Sequence, residues 1–262
     1  MSDLYYTDNG TGYPLVFIHG FCESNIIWND FSEHLKGSFR ILCPDLPGFG
    51  KSPLPPKADF SLEDIAQVII KWLDHLEIED CVVIGHSLGG YITLALIDNY
   101  PEYFSGFGLF HSTCFPDTED KKKTRNNVID FINTHGSNEF TETFVPGLFY
   151  RKSNEIQQDI DRLILDARSI TNESIIAYTK AMRDRPGRCQ VLKNSNRPIL
   201  FIAGEEDGAI PIEMSRIQAE ALNSKYVHFL AGTGHMGMYE KKSETLTMVS
   251  DFLQSIKSNT DY

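Results

Sequence analysis

Basic residues and long apolar runs are scarce in this chain. The 262 residues include 24 Lys and Arg against 36 Asp and Glu, which gives a formal net charge of −12. Nucleic acids and anionic membranes attract basic surfaces, so we expect neither as a partner. No segment is apolar for long enough to span a bilayer, and the N-terminal residues lack the basic and apolar regions of a signal peptide. We therefore expect a cytoplasmic protein that acts on a small molecule.

Cysteine is also sparse, and its spacing has no recognisable pattern. Cys22, Cys43, Cys81, Cys114 and Cys189 form no CxxC pair and no zinc-like spacing. An odd number of scattered cysteines is more typical of reduced cytoplasmic thiols than of a disulfide framework. The sequence predicts reduced thiols, no metal and no cofactor, and it leaves open whether the protein is a monomer or a homodimer.

Short apolar runs alternate with longer segments of helical period, a pattern typical of an α/β fold with a mainly parallel sheet. The runs lack strict alternation of apolar and polar residues, as expected for strands buried on both faces. Ser61 and Asp64 form a capping box ahead of an amphipathic helix. An early strand at 4–7 is expected to pair with 15–19 as an antiparallel hairpin. The main strands are predicted at 15–19, 40–44, 81–85, 106–110, 199–203 and 226–230.

Residues 114–196 have helical periods but no convincing strand. The simplest interpretation is a helical cap, or lid, inserted between two strand–helix units of one core domain, which comprises residues 1–113 and 197–262. Such a cap would cover the carboxyl ends of the strands, where open α/β sheets place their sites.

A candidate nucleophile follows the predicted strand at 81–85. Residues 85–89 read Gly-His-Ser-Leu-Gly and match G-x-S-x-G, between a buried strand and the helix that begins near Gly90. This strand–turn–helix context is what a nucleophile elbow requires, because it exposes the serine at the top of the sheet. The alternative is a glycine-rich turn without chemistry. We predict that Ser87 is the nucleophile.

A serine hydroxyl needs a base, and the base needs an orienting acid. His235 lies in a glycine-rich loop after the strand at 226–230, so its ring can reach the top of the sheet. Three carboxylates, Glu205, Glu206 and Asp207, follow the strand at 199–203, and chemistry alone does not choose among them. An oxyanion hole further needs backbone N–H donors, for which Leu88 and Phe21 are the candidates.

Together these motifs resemble the α/β-hydrolase superfamily, in its branch of capped serine hydrolases. The resemblance implies an eight-stranded sheet with a helical cap after the sixth strand. By matched position it also implies Ser87, Asp207 and His235 as the triad, with Phe21 and Leu88 as oxyanion donors. The segments that carry it are residues 19–21, 45–52, 85–90, 204–211 and 234–235.

The resemblance implies cleavage of an ester or related acyl bond through an acyl-serine, as in carboxylesterases. A C–C bond hydrolase or lyase with the same triad as a proton relay is the main alternative, and a non-catalytic receptor is the third. Arginines 183, 185 and 188 could meet a substrate carboxylate or form salt bridges. Four aromatic residues are candidates for an apolar pocket, although packing of the cap is an alternative role: Trp28, Phe144, Phe149 and Tyr178.

Overall fold

The structure, a computed structural model, describes residues 4–56, 59–150 and 153–260, with side chains as far as Ile256. Seven strands form one sheet within these ranges: β1 (Tyr6–Asn9), β2 (Tyr13–Ile18), β3 (Phe39–Pro44), β4 (Cys81–His86), β5 (Phe104–Phe110), β6 (Ile199–Gly204) and β7 (Tyr226–Leu230). Eleven α-helices surround it: α1 (Asn29–Leu35), α2 (Leu62–His75), α3 (Leu88–Asn99), α4 (Glu119–His135), α5 (Ser137–Gly147), α6 (Asn154–Ala167), α7 (Asn172–Asp184), α8 (Cys189–Asn194), α9 (Ile212–Ala219), α10 (Gly237–Glu240) and α11 (Lys242–Thr260).

The sheet order is β1-β3-β2-β4-β5-β6-β7, and only β1 runs antiparallel to its neighbour. The six strands predicted from apolar runs all form, as β2 to β7. Side chains alternate between the two faces, so Val16 and Ile18 pack in one core while Leu15 and Phe17 pack in the other. Burial on both faces explains why these strands read as continuous apolar runs.

Helices cover both faces of the sheet. The first core contains apolar residues of α2 and α3, and the second contains those of α1 and α11. The predicted capping box begins α2, where the Ser61 hydroxyl accepts the Asp64 N–H and the Asp64 carboxylate accepts the Ser61 N–H. No helix of the described residues is long and apolar enough to cross a membrane.

Two predictions about the sheet are corrected. β1 pairs with β3 and not with β2, with Tyr6 opposite Pro44, because β3 and β4 already occupy both edges of β2. The sheet has seven strands in the described residues instead of eight. The long helical segment accordingly follows the fifth of these strands and not the sixth.

Five helices, α4 to α8, lie between β5 and β6. Some of their apolar residues join the two cores of the sheet, including Ile132 and Tyr178 in the first and Val145 and Ile160 in the second. The segment therefore packs against the core domain. The boundary of a cap at residues 114–196 remains a prediction.

The thiol prediction is wrong for two of the five cysteines. Cys114, shortly after β5, and Cys189, at the start of α8, form a disulfide across 75 residues of sequence. The bond lies at the base of the helical segment, where the Arg188 N–H also donates to the Cys114 carbonyl at 2.7 Å. Cys22, Cys43 and Cys81 are free and buried. The pairing depends on the fold, because sequence spacing does not show that the two ends of a long insertion meet.

Candidate active site

Ser87 lies in the sharp turn between β4 and α3, with φ 50° and ψ −112°. Few non-glycine residues adopt this backbone region, and it costs of the order of 1–3 kcal/mol. Hydrogen bonds hold the turn: the Ser87 N–H donates to the Phe110 carbonyl at 3.0 Å, and the Ser87 carbonyl accepts the Ser112 hydroxyl at 2.8 Å. The Ser87 side chain remains partly accessible between buried neighbours. The turn thus presents the hydroxyl at the carboxyl end of β4.

The two glycines of the motif are required by close backbone contacts. A Cβ atom on Gly85 would lie 2.2 Å from the Gly89 carbonyl oxygen, and one on Gly89 would lie 2.4 Å from the Ile18 carbonyl oxygen. Any larger residue at either position would separate β4, α3 and the end of β2. These contacts place the loop after β2 directly beside Ser87.

Phe21 and Leu88, the two candidate oxyanion donors, lie in different elements, the loop after β2 and the start of α3. Leu88 is the first residue of α3, and the first N–H groups of a helix have no partner within it. Within the described part of the chain, neither N–H donates to a protein acceptor, although Leu88 is fully buried and Phe21 is nearly so. Two buried, unpaired N–H groups beside a serine are what an oxyanion hole needs.

His19 fixes the loop that carries Phe21. Its Nδ1 donates to the Gly20 carbonyl at 2.8 Å, and its Nε2 accepts the Leu46 N–H at 2.9 Å. Burial lowers the pKa of His19, which keeps the ring neutral, as this pair of hydrogen bonds requires. His19 therefore acts as a structural brace.

The imidazole of His235 is hydrogen-bonded to Asp207, with 2.7 Å between His235 Nδ1 and Asp207 Oδ2. The other carboxylate oxygen of Asp207 accepts the N–H groups of Ala209 at 2.8 Å and Ile210 at 3.0 Å. The carboxylate is thereby fixed, and it holds the proton of His235 on Nδ1, which leaves Nε2 free to act as a base.

The pKa of Asp207 reflects this setting. Burial alone would raise it, but the interactions of the carboxylate with His235, and to a lesser extent with His111, lower it well below the usual range. His111 lies on the other side of the carboxylate, 3.5 Å from Asp207 Oδ2. Burial lowers the pKa of His111 to about 4, and a backbone N–H faces each of its ring nitrogens. Asp207 is therefore ionised next to a neutral His111.

The geometry distinguishes among the three carboxylates that were candidates for the orienting acid. Glu205 forms a surface ion pair with Arg216 at 3.0 Å, and Glu206 accepts the Thr233 N–H at 2.9 Å. Of the three, Asp207 alone contacts the His235 ring in the described residues.

A buried ion pair joins the oxyanion loop to the base loop. Glu23 Oε2 accepts the Gly20 N–H at 2.6 Å and lies 2.9 Å from His86 Nδ1, while His86 Nε2 lies 2.9 Å from the His235 carbonyl oxygen. Both nitrogens of His86 therefore face acceptors, which favours the imidazolium. Burial opposes charge on both residues, but their attraction raises the pKa of His86 and lowers that of Glu23. The pair fixes the spacing between the N–H donors and the base.

Glu23, His86 and His111 were not found as functional residues from sequence. His86 lies inside the elbow motif, and a polar residue next to the nucleophile was the available signal. The sequence around Glu23 contains no such signal, because its partner His86 is 63 residues away. Positive φ angles mark the same region: apart from Glu77 at the end of α2, the described non-glycine residues with φ above zero are Cys22, Ser87 and His111.

The four aromatic pocket candidates separate into two groups. Trp28 is fully buried and stacks on Phe17, with ring centroids 4.6 Å apart. Tyr178 is also fully buried, and its ring packs at a tilt against Phe49 at the same centroid distance. Phe149 is buried in the core that contains α11. These three have the packing role that the sequence left as the alternative. Phe144, by contrast, lines a cavity of about 320 Å³ together with Phe21 and Phe140, Phe21 being one of the two candidate oxyanion donors.

The three arginines near the end of the helical segment are all paired. Arg183 binds Asp184 at 2.7 Å, Arg185 binds Asp117 at 2.6 Å, and Arg188 contacts Glu63 and Asp98. Salt bridging, the alternative that the sequence left open, accounts for them.

A metal ion is the other occupant that the site's residue types would allow. Ligand atoms of His111, Asp207 and His235 lie within 4.8 Å of one another. However, a proton lies between Asp207 and His235, and backbone N–H groups point at both nitrogens of His111. A cation there would face hydrogen-bond donors, so the donor set fits a proton relay better than a metal.

The Glu23–His86 pair makes a prediction about stability. We expect Glu23→Gln to lower the free energy of unfolding by about 3 kcal/mol, because it leaves a buried imidazole without its counter-charge. Because folding lowers the pKa of Glu23, its contribution to stability is fully present above pH 4.5, the ordinary pKa of glutamate. Because folding raises the pKa of His86, its contribution is fully present below pH 6.5, the ordinary pKa of histidine. The difference from wild type should therefore be largest between pH 4.5 and 6.5 and shrink at higher and lower pH.

Urea unfolding across this pH range measures the difference. Glu139→Gln is the matched control, since it breaks an exposed Glu–His pair at 3.7 Å between Glu139 and His135. Equal effects of the two substitutions at every pH would contradict the role given to Glu23.

Comparison with known proteins agrees with the fold. A family model described as alpha/beta hydrolase fold matches residues 13–242. An uncharacterised hydrolase of Bacillus subtilis, YugF, is 28% identical over 96% of this chain and 94% of its own length. 2-Hydroxymuconate semialdehyde hydrolase of a Pseudomonas species is also 28% identical, over 94% of this chain and 88% of its own.

Solved structures give the same result. A thermophilic esterase from Thermogutta terrifontis superposes with a TM-score of 0.88 at 26% identity and covers 97% of this chain and 93% of its own. A bromoperoxidase from Bacillus anthracis, at 22% identity and a TM-score of 0.85, shares the fold. The resemblance inferred from the motifs is thus confirmed. Because the family match spans most of its length, this chain is a hydrolase that belongs to the α/β-hydrolase family.

Proposed function

We propose that the protein hydrolyses esters, or related acyl compounds, through an acyl-serine intermediate. Ser87 attacks the carbonyl carbon while His235 Nε2 takes the hydroxyl proton. Asp207 keeps the other proton of His235 on Nδ1 and stabilises the imidazolium that forms. The tetrahedral oxyanion accepts hydrogen bonds from the N–H groups of Phe21 and Leu88. His235 then protonates the leaving alcohol and activates the water that hydrolyses the acyl-enzyme.

The observation that carries this proposal is the set of groups around Ser87. A serine in an elbow, two buried N–H groups without protein acceptors and a His–Asp pair at 2.7 Å come from four separate parts of the chain. Each of these features has a structural cost, and acyl transfer uses all of them. The likeness to the thermophilic esterase from Thermogutta terrifontis adds support.

The proposed substrate is a small, largely apolar molecule. The cavity of about 320 Å³ has an apolar wall that includes Phe140 and Phe144, whose rings stack 5.1 Å apart. The proposal involves no metal, cofactor, nucleic acid or membrane, in keeping with the site chemistry and the net charge of −12. The cytoplasmic location stays a prediction from sequence, and the Cys114–Cys189 disulfide is more typical of an oxidising compartment.

A second candidate is C–C bond hydrolysis, favoured by the likeness to 2-hydroxymuconate semialdehyde hydrolase. There the same three side chains would serve as a proton relay for a carbon leaving group. Turnover of a vinylogous 1,5-diketone acid together with no ester turnover would favour this candidate over the esterase. A receptor without catalysis, the third possibility from sequence, would turn over neither compound.

Ser87→Ala tests the proposed nucleophile. We expect the substitution to lower kcat on a short-chain p-nitrophenyl ester by about 10⁴-fold or more, because no other group can form the acyl-enzyme. The unfolding transition should remain cooperative, since the small side chain is not part of the core. Turnover at the wild-type rate in the alanine variant would refute the mechanism.

Asp207→Asn, compared with a substitution of the neighbouring Glu206, tests which carboxylate orients His235. An amide at this position favours the wrong His235 tautomer, so kcat should fall by about 10⁴-fold with the fold retained. Glu206→Gln is the matched control, because Glu206 is exposed and binds only a backbone N–H among its described contacts. Steady-state kinetics on the same ester measure both. An equal loss of kcat in Asp207→Asn and Glu206→Gln would contradict the assignment of Asp207 as the orienting acid.

A further inference from the structure

The cavity beside Phe21 has an apolar wall and a basic wall. The apolar wall is formed by the side chains of Phe21, Val128, Phe140, Phe144 and Leu148. The basic wall lies toward the first turns of α4, where Lys121 and Arg125 line the same space. Among the described residues that line this cavity, none is Asp or Glu. An entirely apolar substrate would use only one of these walls.

Lys121 connects α4 to the loop that holds the acid. Its Nζ donates to the Ala209 carbonyl at 3.1 Å, and the Ala209 N–H in turn donates to Asp207 Oδ1. Lys121 also lines a second cavity of about 220 Å³, which Tyr91 lines too. The ammonium group has three hydrogens, of which the Ala209 carbonyl takes one. Its remaining donors can point into the cavities.

The positive charge of Lys121 is not balanced by a nearby partner. Arg125 and Arg185 both bind Asp117, at 3.0 and 2.6 Å, so one carboxylate serves two guanidinium groups. Within the described residues no carboxylate lies at ion-pair distance from Lys121 Nζ. The two guanidinium groups near Lys121 therefore share one carboxylate, and Lys121 itself has no ion-pair partner among the described residues.

The surroundings of Lys121 disfavour its own charge. Burial lowers its pKa, and Arg125 and Arg185 lower it further, while Asp117 and Asp207 act in the opposite direction. A partly buried ammonium without a carboxylate is a cost to the fold. An anionic group of a bound ligand would remove that cost, because it would supply the missing counter-charge.

We propose that Lys121, assisted by Arg125, binds a carboxylate carried by the acyl chain of the substrate. The substrate class is thus the monoester of a short dicarboxylic acid, with its methylene chain along Phe140 and Phe144 and its free carboxylate at Lys121. The acyl side is assigned because Phe21, the proposed oxyanion donor, also lines this cavity. This inference rests on the proposed ester hydrolysis and specifies its substrate.

Two esters of equal chain length test the inference: p-nitrophenyl hydrogen adipate, which has a free carboxylate, and p-nitrophenyl hexanoate, which has none. The measured quantity is the ratio of kcat/KM for the adipate ester to kcat/KM for the hexanoate ester. We expect Lys121→Met to lower this ratio by about 10–100-fold, chiefly through KM for the adipate ester, because a charge-assisted hydrogen bond is lost. Lys121→Arg should recover most of the ratio.

Lys122→Met is the matched control. It removes the same charge from the next residue, which is solvent-exposed and paired with Glu119 at 2.9 Å. The ratio should stay at the wild-type value in this variant. An equal fall of the ratio in Lys121→Met and Lys122→Met would show an effect of long-range charge alone. An unchanged ratio in both variants would mean that Lys121 only connects α4 to the loop of Asp207. Either result overturns the inference.

Failure of the proposed function would give a different result. If wild-type protein hydrolyses neither ester, the esterase proposal fails, and the carboxylate site is tested by calorimetric binding of adipate to Ser87→Ala protein. We expect adipate to bind about 10-fold or more weakly when Lys121→Met is added. Equal affinity with and without Lys121 would overturn the site independently of catalysis.

Discussion

The strained backbone of Ser87 is the constraint on which the rest of the site depends. Its φ of 50° persists because β4, α3 and the end of β2 touch through glycines 85 and 89, with no room for a Cβ atom. The same close packing that enforces the strain also places the Leu88 N–H and the loop of Phe21 beside the hydroxyl. Strain, exposure of the nucleophile and the oxyanion donors thus have a single structural cause.

A second layer of buried polar groups keeps the loops in register with that turn. Glu23 and His86 connect the Phe21 loop to the His235 carbonyl, and His111 lies against Asp207 from the opposite side. A buried ion pair contributes little net stability compared with apolar packing, so its value here is in positioning. The cost of burying these charges is offset by the hydrophobic cores on both faces of the sheet.

Much of this arrangement could be predicted from the sequence, because it depends on local patterns. The six parallel strands, the capping box at Ser61 and the elbow at Ser87 all follow from residues close together in the chain. What could not be predicted depends on long-range contacts. The pairing of β1 with β3, the Cys114–Cys189 disulfide and the partner of Glu23 each join residues more than 30 positions apart. The choice of Asp207 over Glu206 came from resemblance and now has a geometric basis in the 2.7 Å contact with His235.

Covalent labelling tests most directly whether Ser87 is a single activated nucleophile. Wild-type protein would be incubated with a fluorophosphonate and analysed by intact-mass and peptide mass spectrometry. The mechanism predicts one adduct per chain, located on the peptide that contains Ser87. Absence of an adduct, or an adduct on another residue while Ser87 stays unmodified, would contradict it.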